Sequence, residues 1–312
     1  MQDAAIRRWT HPTVILVATD LSDLDRLMPF AVAEAAQSGA RLILLHVVGG
    51  TEAAGADLAG MPYYDPSGIL DSAGRVLEFC CESARKHGVT CTGLVREGAA
   101  AHQVLDAAKQ FHADRIILGT RSRGKLSKLL LGSVAEQVLR SVNLPVITVG
   151  PAARLPVDSS ANVLHATTLR EDSRPSAALA CQIAAMIHAR LVIIHVLPPQ
   201  DEMKRQELHT SLDSAAMQEL LALVALTATG CPVCVEPRLV HGNAAIEILA
   251  EAEQSQACLI VMGSAARSGF QNLTRDRTVY KVLAHAHCPV MTLREEQVKM
   301  NDSLIETVAT HT

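Results

Sequence analysis

An α/β fold built twice, as two homologous open parallel sheets covered by helices, is predicted by three observations. First, the chain repeats itself. "TVILVATDLSDLDRLMPFAVAEAAQSGARLILLHVV" (Thr13–Val48) shares its plan with "NVLHATTLREDSRPSAALACQIAAMIHARLVIIHVL" (Asn162–Leu197): a β-rich run, a polar turn, an Ala-rich helical stretch and a second run ending in His-Val. Later landmarks keep one constant offset, Gly98 with Gly242, Gly119 with Gly263 and Pro145 with Pro289. Second, strand and helix periods alternate along each copy, the order of a parallel sheet with right-handed crossovers. Third, hydrophobic residues make up 49% of the 312 but aromatics only 3%. The core must therefore be built from Ala, Val, Leu and Ile, as buried parallel sheets are.

Taken in order, the first copy reads as strands near 13–19, 41–48, 89–96, 114–119 and 145–149. Helices fall between them, near 24–38, 69–87, 100–112 and 132–142. "GPAARLPVDSSA" (Gly150–Ala161) is rich in Pro, Ser and Ala and serves as a linker. The expected division is a first domain to residue 150, a linker over 151–161, a second domain over 162–294 and a tail over 295–312. The insert 49–68, with its Gly, Pro and Tyr, is a long loop after the second strand.

Composition excludes several classes. A formal charge of −4 leaves no dominant basic surface for a nucleic acid or an anionic membrane. "TVILVA" after Arg7-Arg8 is too short for a signal-peptide core or a membrane span. The eight cysteines sit mostly in apolar contexts and do not form a disulfide framework, so a reducing cytoplasm is expected.

The chemistry gathers at strand ends. In an open parallel sheet, ligands bind beyond the carboxyl ends of the strands, where the strand order reverses. The first strand delivers Asp20 there and the fourth delivers Gly119. After Gly119 come Arg121, Arg123, Lys125 and Lys128, and then Gly132-Ser133 opens a helix. A glycine permits close backbone approach, and a helix N-terminus offers unpaired N–H groups and a positive dipole end to phosphate oxygens. The segment reads as a phosphate cradle, against the plainer reading of a solvated basic turn. A Walker-type loop fits worse, although "GTRSRGK" has the Gly-x4-Gly-Lys spacing. Leu126 stands where that motif needs its Mg²⁺-binding hydroxyl.

"VILVATD", "LLHVV" and "LGTRSRGKLSKLLLGSVAEQVLRSVNLPVITV" together resemble a universal stress protein domain, and the duplication resembles a tandem member of that family. The resemblance covers 13–149 strongly and 162–293 more weakly. It implies two five-stranded sheets in the order 3-2-1-4-5 with helices on both faces. It also implies an adenine nucleotide, ATP first among them, held through Gly-x2-Gly-x9-Gly-Ser/Thr. That pattern starts at Gly119 and ends at Gly132-Ser133, with Ser122 in place of the second glycine. By resemblance, Asp20 binds the ribose hydroxyls or a Mg²⁺ ion, Val47 touches the adenine, and Gly119, Ser122, Gly132 and Ser133 hold the phosphates, with Arg121 adding charge.

The second copy departs from the pattern. Thr168 replaces Asp20, and Asp276-Arg277 replaces the Gly-Ser helix start, so this copy is expected to be structural or to serve an interface. Cys231 and Cys234 ("GCPVC") with His285 and His287 ("HAHC") are weak zinc candidates. Cys80-Cys81 in an apolar helix reads as core. His46 and His195, at equivalent strand ends, read as hydrogen-bonded packing residues.

The expected function is therefore a cytoplasmic stress-response protein binding an adenine nucleotide in its first domain, with at most slow hydrolysis. The alternative is a nucleotide-independent scaffold for an unknown protein partner. An ATP-dependent ligase or sulfurtransferase is disfavoured, because "ATDLSDLD" stands where such enzymes carry Ser-Gly-Gly-x-Asp-Ser. The two domains are expected to pair as an intramolecular pseudo-dimer, and a homodimer of such chains is open.

Overall fold

The computed structural model describes residues 2–49, 66–120, 131–154, 162–170, 173–199, 208–229, 232–264 and 277–294. The basic segment 121–130, most of the 49–68 insert, Cys231, Asp276 and the tail from 295 lie outside the described residues. The chain divides into two compact units, His11–Pro151 and a second unit of Ala152–Thr312 together with Met1–Thr10.

The first helix, α1 (Gln2–Thr10), precedes the first strand in sequence yet packs in the second unit, against α6 (Arg174–Met186). Its apolar anchors Ile6 and Trp9 are buried. The Thr10 hydroxyl donates to the Ile6 carbonyl at 2.8 Å and lies 2.8 Å from Gln182 Oε1 of α6. This helix is absent from the sequence-based assignment, because two apolar residues in a polar decapeptide make no helical period of their own.

The first unit contains β1 (Val14–Thr19), α2 (Leu24–Ser38), β2 (Arg41–Val48), α3 (Pro66–Lys86), β3 (Cys91–Glu97), α4 (Ala100–Gln110), β4 (Arg115–Gly119), α5 (Ser133–Ser141) and β5 (Val146–Val149). All strand pairs are parallel, in the order β3-β2-β1-β4-β5. Val14, Leu16, Ile43, Leu45, Ile116 and Leu118 point to one face, under α4 and α5. On the other face α2 packs on β1, β2 and β4, and α3 packs on β2 and β3. Strand order thus reverses between β1 and β4, where Ala18 pairs with Leu118.

Two polar devices lock this unit at the other end of its strands. Asp114, buried just before β4, accepts hydrogen bonds from the Thr13 N–H (2.7 Å), the Thr13 hydroxyl (2.8 Å) and the Val14 N–H (3.1 Å). Arg115, fully buried, forms an ion pair with Glu34 of α2, and burial pushes its guanidinium down to about 10. A buried guanidinium that loses its carboxylate keeps its desolvation cost without the compensating attraction.

The second unit repeats the plan with β6 (Asn162–Ala166), then α6, β7 (Arg190–Leu197), α7 (Leu208–Ala228), β8 (Val235–His241), α8 (Ala244–Gln254), β9 (Ala257–Ser264), α9 (Arg277–His285) and β10 (Val290–Arg294). Its order is β8-β7-β6-β9-β10, again parallel throughout. The paired landmarks match in conformation: Gly98 has φ +117 and Gly242 has φ +152, both in backbone that glycine adopts at least cost. Where β1 carries Val17, β6 carries His165, fully buried, with its Nδ1 3.1 Å from the Val261 carbonyl. Burial pushes its imidazole down to about 4.

Three outcomes follow. Glu34→Ala should cost the first unit about 3–5 kcal/mol by strand-ing Arg115, read by chemical denaturation. Trp9→Ala should cost the second unit about 3 kcal/mol, and an unmoved unfolding midpoint would contradict the docking of α1. His165 is neutral when folded, with a folded pKa below its ordinary 6.5. The folded state therefore binds fewer protons than the unfolded one between pH 6.5 and 4. Stability should be complete above pH 6.5 and fall by roughly 3 kcal/mol as pH drops through 4. His165→Val should flatten that acid limb.

Candidate functional site

The crevice of the first unit begins where β1 must become α2 within four residues. Thr19 ends the strand, and its carbonyl accepts from His46 Nδ1 of β2 at 2.9 Å. The Leu21 N–H donates to Thr19 Oγ1 at 2.9 Å, with Leu21 in the left-handed region at φ +70. The Thr19 hydroxyl donates in turn to Asp23 Oδ1 at 2.6 Å. Asp23 stands at the N-cap of α2, and its carbonyl accepts from the Arg26 and Leu27 N–H groups. Asp20 projects from this turn, exposed, with its Oδ1 accepting from the Ser22 N–H (2.9 Å) and the Ser22 hydroxyl (2.7 Å).

Gly119, at the end of β4, lies against this turn. A Cβ there would sit 2.1 Å from Asp23 Oδ2, so the glycine is required by a neighbouring carboxylate. The sequence reading gives Gly119 a role in close ligand approach, and the structure adds Asp23 as its neighbour. The available signal was its position: an Asp immediately before an apolar helical run is a helix-start residue. Burial lifts the Asp23 carboxyl above its ordinary value and the nearby Asp20 charge adds to this, while the Thr19 hydrogen bond opposes it.

Beyond Gly119 the chain is pinned on both sides of the basic segment. The Thr120 N–H donates to the Val149 carbonyl at 3.3 Å, and the Thr120 carbonyl accepts from the Gly132 N–H at 2.8 Å. Thr120 is buried, and its hydroxyl has no hydrogen-bond partner among the described residues. Gly132 is the N-cap of α5, and a Cβ on it would meet the Thr120 carbonyl oxygen at 3.3 Å. Ser133, exposed, is the first residue of the helix. The first-turn N–H groups of α5 have no acceptor within the helix, which makes this end attractive to anions. Arg121 and Ser122 lie outside the described residues. Val47, half-buried near the end of β2, packs on the aliphatic cluster under α4 and α5.

The structure therefore brings Asp20, Gly119, Gly132 and Ser133 to the carboxyl ends of adjacent strands β1 and β4, with Val47 on β2 beside them.

The second unit repeats the turn, with its Glu171 and Asp172 lying outside the described residues. His195 Nδ1 is 2.9 Å from the Thr167 carbonyl, the Leu169 N–H donates to Thr167 Oγ1 at 3.1 Å, and Leu169 has φ +59. The Thr167 hydroxyl now meets Ser173 Oγ at 3.1 Å, at the N-cap of α6, where the first unit has Asp23. Exposed Thr168 stands where the first unit has Asp20. Among the described residues, hydroxyls thus stand at the two positions where the first turn carries Asp20 and Asp23. His46 and His195 are thus matched packing residues that tie the second strand of each unit to the first.

The cysteine–histidine set does not assemble from the described residues. Cys234 precedes β8 at one end of the order β8-β7-β6-β9-β10, and His285 and His287 precede β10 at the other end. Four inter-strand steps of about 4.8 Å separate the two ends. His285 Nδ1 is 2.9 Å from the Lys281 carbonyl of its own helix. Among the described residues, no cluster of three metal-ligating side chains occurs, and no helix is long and apolar enough to cross a membrane.

Comparison with known proteins agrees with this architecture. The model of the universal stress protein family matches residues 13–150 and again 160–294. A universal stress protein of Mycolicibacterium smegmatis is 28% identical over 300 residues, covering 90% of this chain and 96% of its own. A shorter one from Thermus aquaticus is 34% identical over 142 residues, 43% of this chain and 96% of its own. The crystal structure of a universal stress protein from Archaeoglobus fulgidus superposes with a TM-score of 0.68 at 21% identity, covering 91% of this chain and 98% of that one, a likeness of fold.

Gly119→Ala should destabilise the first unit by about 2 kcal/mol, through overpacking against Asp23. Asp23→Ala in the same chain should recover most of that loss. A double-mutant cycle on the unfolding midpoint checks it, and strict additivity would contradict the contact.

Proposed function

The chain belongs to the universal stress protein family, and on that premise we propose that its first domain binds an adenine nucleotide, ATP foremost, while the second keeps the fold without the ligand. The observation that carries this reading is the juxtaposition at β1 and β4. An exposed carboxylate, Asp20, stands across the strand order's reversal from a helix start, Gly132-Ser133, whose N–H groups suit an anion. Ribose hydroxyls and phosphates need these two kinds of partner a few ångströms apart.

In this reading the α/β-phosphate oxygens lie at the first turn of α5, with Ser133 donating its hydroxyl. Arg121, from the segment between Gly119 and Gly132, neutralises charge, and Ser122 adds a second hydroxyl. Asp20 accepts from the ribose or holds a Mg²⁺ ion that accompanies the phosphates. Val47 offers an apolar edge to the base. The buried Thr120 hydroxyl, lacking a partner among the described residues, is a polar group already placed at the root of the cradle. The site is one of binding, with hydrolysis at most slow. Nucleotide occupancy would alter the loops beside the strand ends and so the surface offered to a protein partner.

The second crevice argues by contrast. Thr168 and Ser173 replace both acids, and Asp276 would set a negative charge beside phosphate. The proposal predicts one ATP per chain by calorimetry, with affinity falling at least ten-fold in Asp20→Ala and in Gly132→Asp. Two sites per chain would refute the contrast. No binding to folded, nucleotide-free protein at millimolar ATP would favour a nucleotide-independent scaffold.

A further inference from the structure

Helix α3 approaches the edge strand β3 unusually closely, and glycine is the reason. Gly93 has no side chain toward the helix, and a Cβ built on it would lie 3.0 Å from Leu77 Cβ. One turn further along α3 and two residues back along β3, on the same two faces, stand Cys81 and Cys91. Their sulfurs are 2.6 Å apart, well inside non-bonded sulfur contact, and both residues are buried at 0% and 2% exposure. One more turn along, Arg85 donates from its Nη2 to the Cys91 carbonyl at 2.8 Å and from its Nη1 to Glu78 at 2.6 Å. Leu77, Cys81 and Arg85 thus form a single helical stripe seated on Gly93 and Cys91.

We propose that Cys81 and Cys91 are a thiol pair placed to close into a disulfide that staples α3 to the edge strand β3, with a hydroperoxide as the oxidant. The Cys81 sulfur attacks the O–O bond of hydrogen peroxide, which breaks, giving a Cys81 sulfenic acid and one water. The Cys91 sulfur then attacks the Cys81 sulfur, the S–O bond breaks, and the second water leaves. Two thiols give up two electrons and two protons, and one peroxide becomes two waters. The order follows the surroundings of the two sulfurs. Either sulfur can donate in this contact, and the Arg85 charge beside the pair favours the Cys81 thiolate as the attacking group. The turn Lys86–Gly88 that joins α3 to β3 is exposed, and a molecule as small as peroxide can reach the pair on local opening. The link would close a short loop onto β3, which stands at the edge of the sheet beside β2 among the described residues.

The full-length chain, reduced and then exposed to hydrogen peroxide, is alkylated under denaturing conditions and digested with trypsin without reductant. Cleavage after Arg75, Arg85, Lys86 and Arg96 puts Cys81 and Cys91 in separate peptides. The expected result is one linked pair, Val76–Arg85 with His87–Arg96, lighter by two hydrogens and split by reductant. It persists in Cys80→Ser and is lost in Cys81→Ser and Cys91→Ser. The thermal midpoint of the first unit should rise by roughly 5 °C on oxidation. Exposed Cys234 reports that the oxidant has acted. Freely alkylated Cys81 and Cys91 in a sample whose Cys234 is oxidised, or a link made through Cys80, would overturn the proposal. The wild-type map alone decides should a serine variant fail to fold.

Discussion

The Asp23 carboxylate lying against Gly119 sets the geometry on which the rest of the first unit depends. Strand β1 is the central strand of its sheet, with β2 on one side and β4 on the other. It must hand over to α2 in four residues without blocking the strand end beside it. Thr19 makes this possible by bonding to the Leu21 N–H and to Asp23 at once, which holds Leu21 in a left-handed conformation that costs about 1 kcal/mol. A side chain at residue 119 would collide with the Asp23 carboxylate that Thr19 holds in place. The strain at Leu21 recurs at Leu169 in the second unit, where Thr168 and Ser173 stand in the places of Asp20 and Asp23. The strained residue therefore belongs to the turn, and the carboxylates are what differ.

That difference separates the two copies. Each keeps the parallel sheet, the strand-end histidine and the threonine-supported turn. Substitution has fallen on Asp20 and Asp23, which become Thr168 and Ser173, while the packing positions around them stay apolar or small. A fold can exchange such carboxylates for hydroxyls without losing stability, because those groups are exposed or cost desolvation where they stand. The second unit has acquired features of its own, including the docked α1 and a buried histidine in its central strand.

Much of this was legible in the sequence. Strands appear within two residues of their expected limits because a parallel strand buried on both faces must be a continuous apolar run, as "VILVAT" and "RLILLHVV" are. The matching of Gly98 with Gly242 was visible because a left-handed position resists replacement. Three features were not legible, each because it depends on a distant partner. Helix α1 is defined by its seat on α6 rather than by its own period. The need for glycine at residue 119 arises from Asp23, far away in sequence. Cys81 reads as core in the sequence and Cys91 carries no signal there, since their meeting depends on the missing side chain of Gly93.

Photo-crosslinking with an azido-adenine ATP analogue tests the central claim most directly, because it reports which crevice is occupied. One label per chain, confined to the peptide that carries Val47 at the end of β2 and competed by ATP, is the predicted result. Label on the matching peptide around Val196 at the end of β7, or equal labelling of both, would contradict the distinction drawn between the two strand ends.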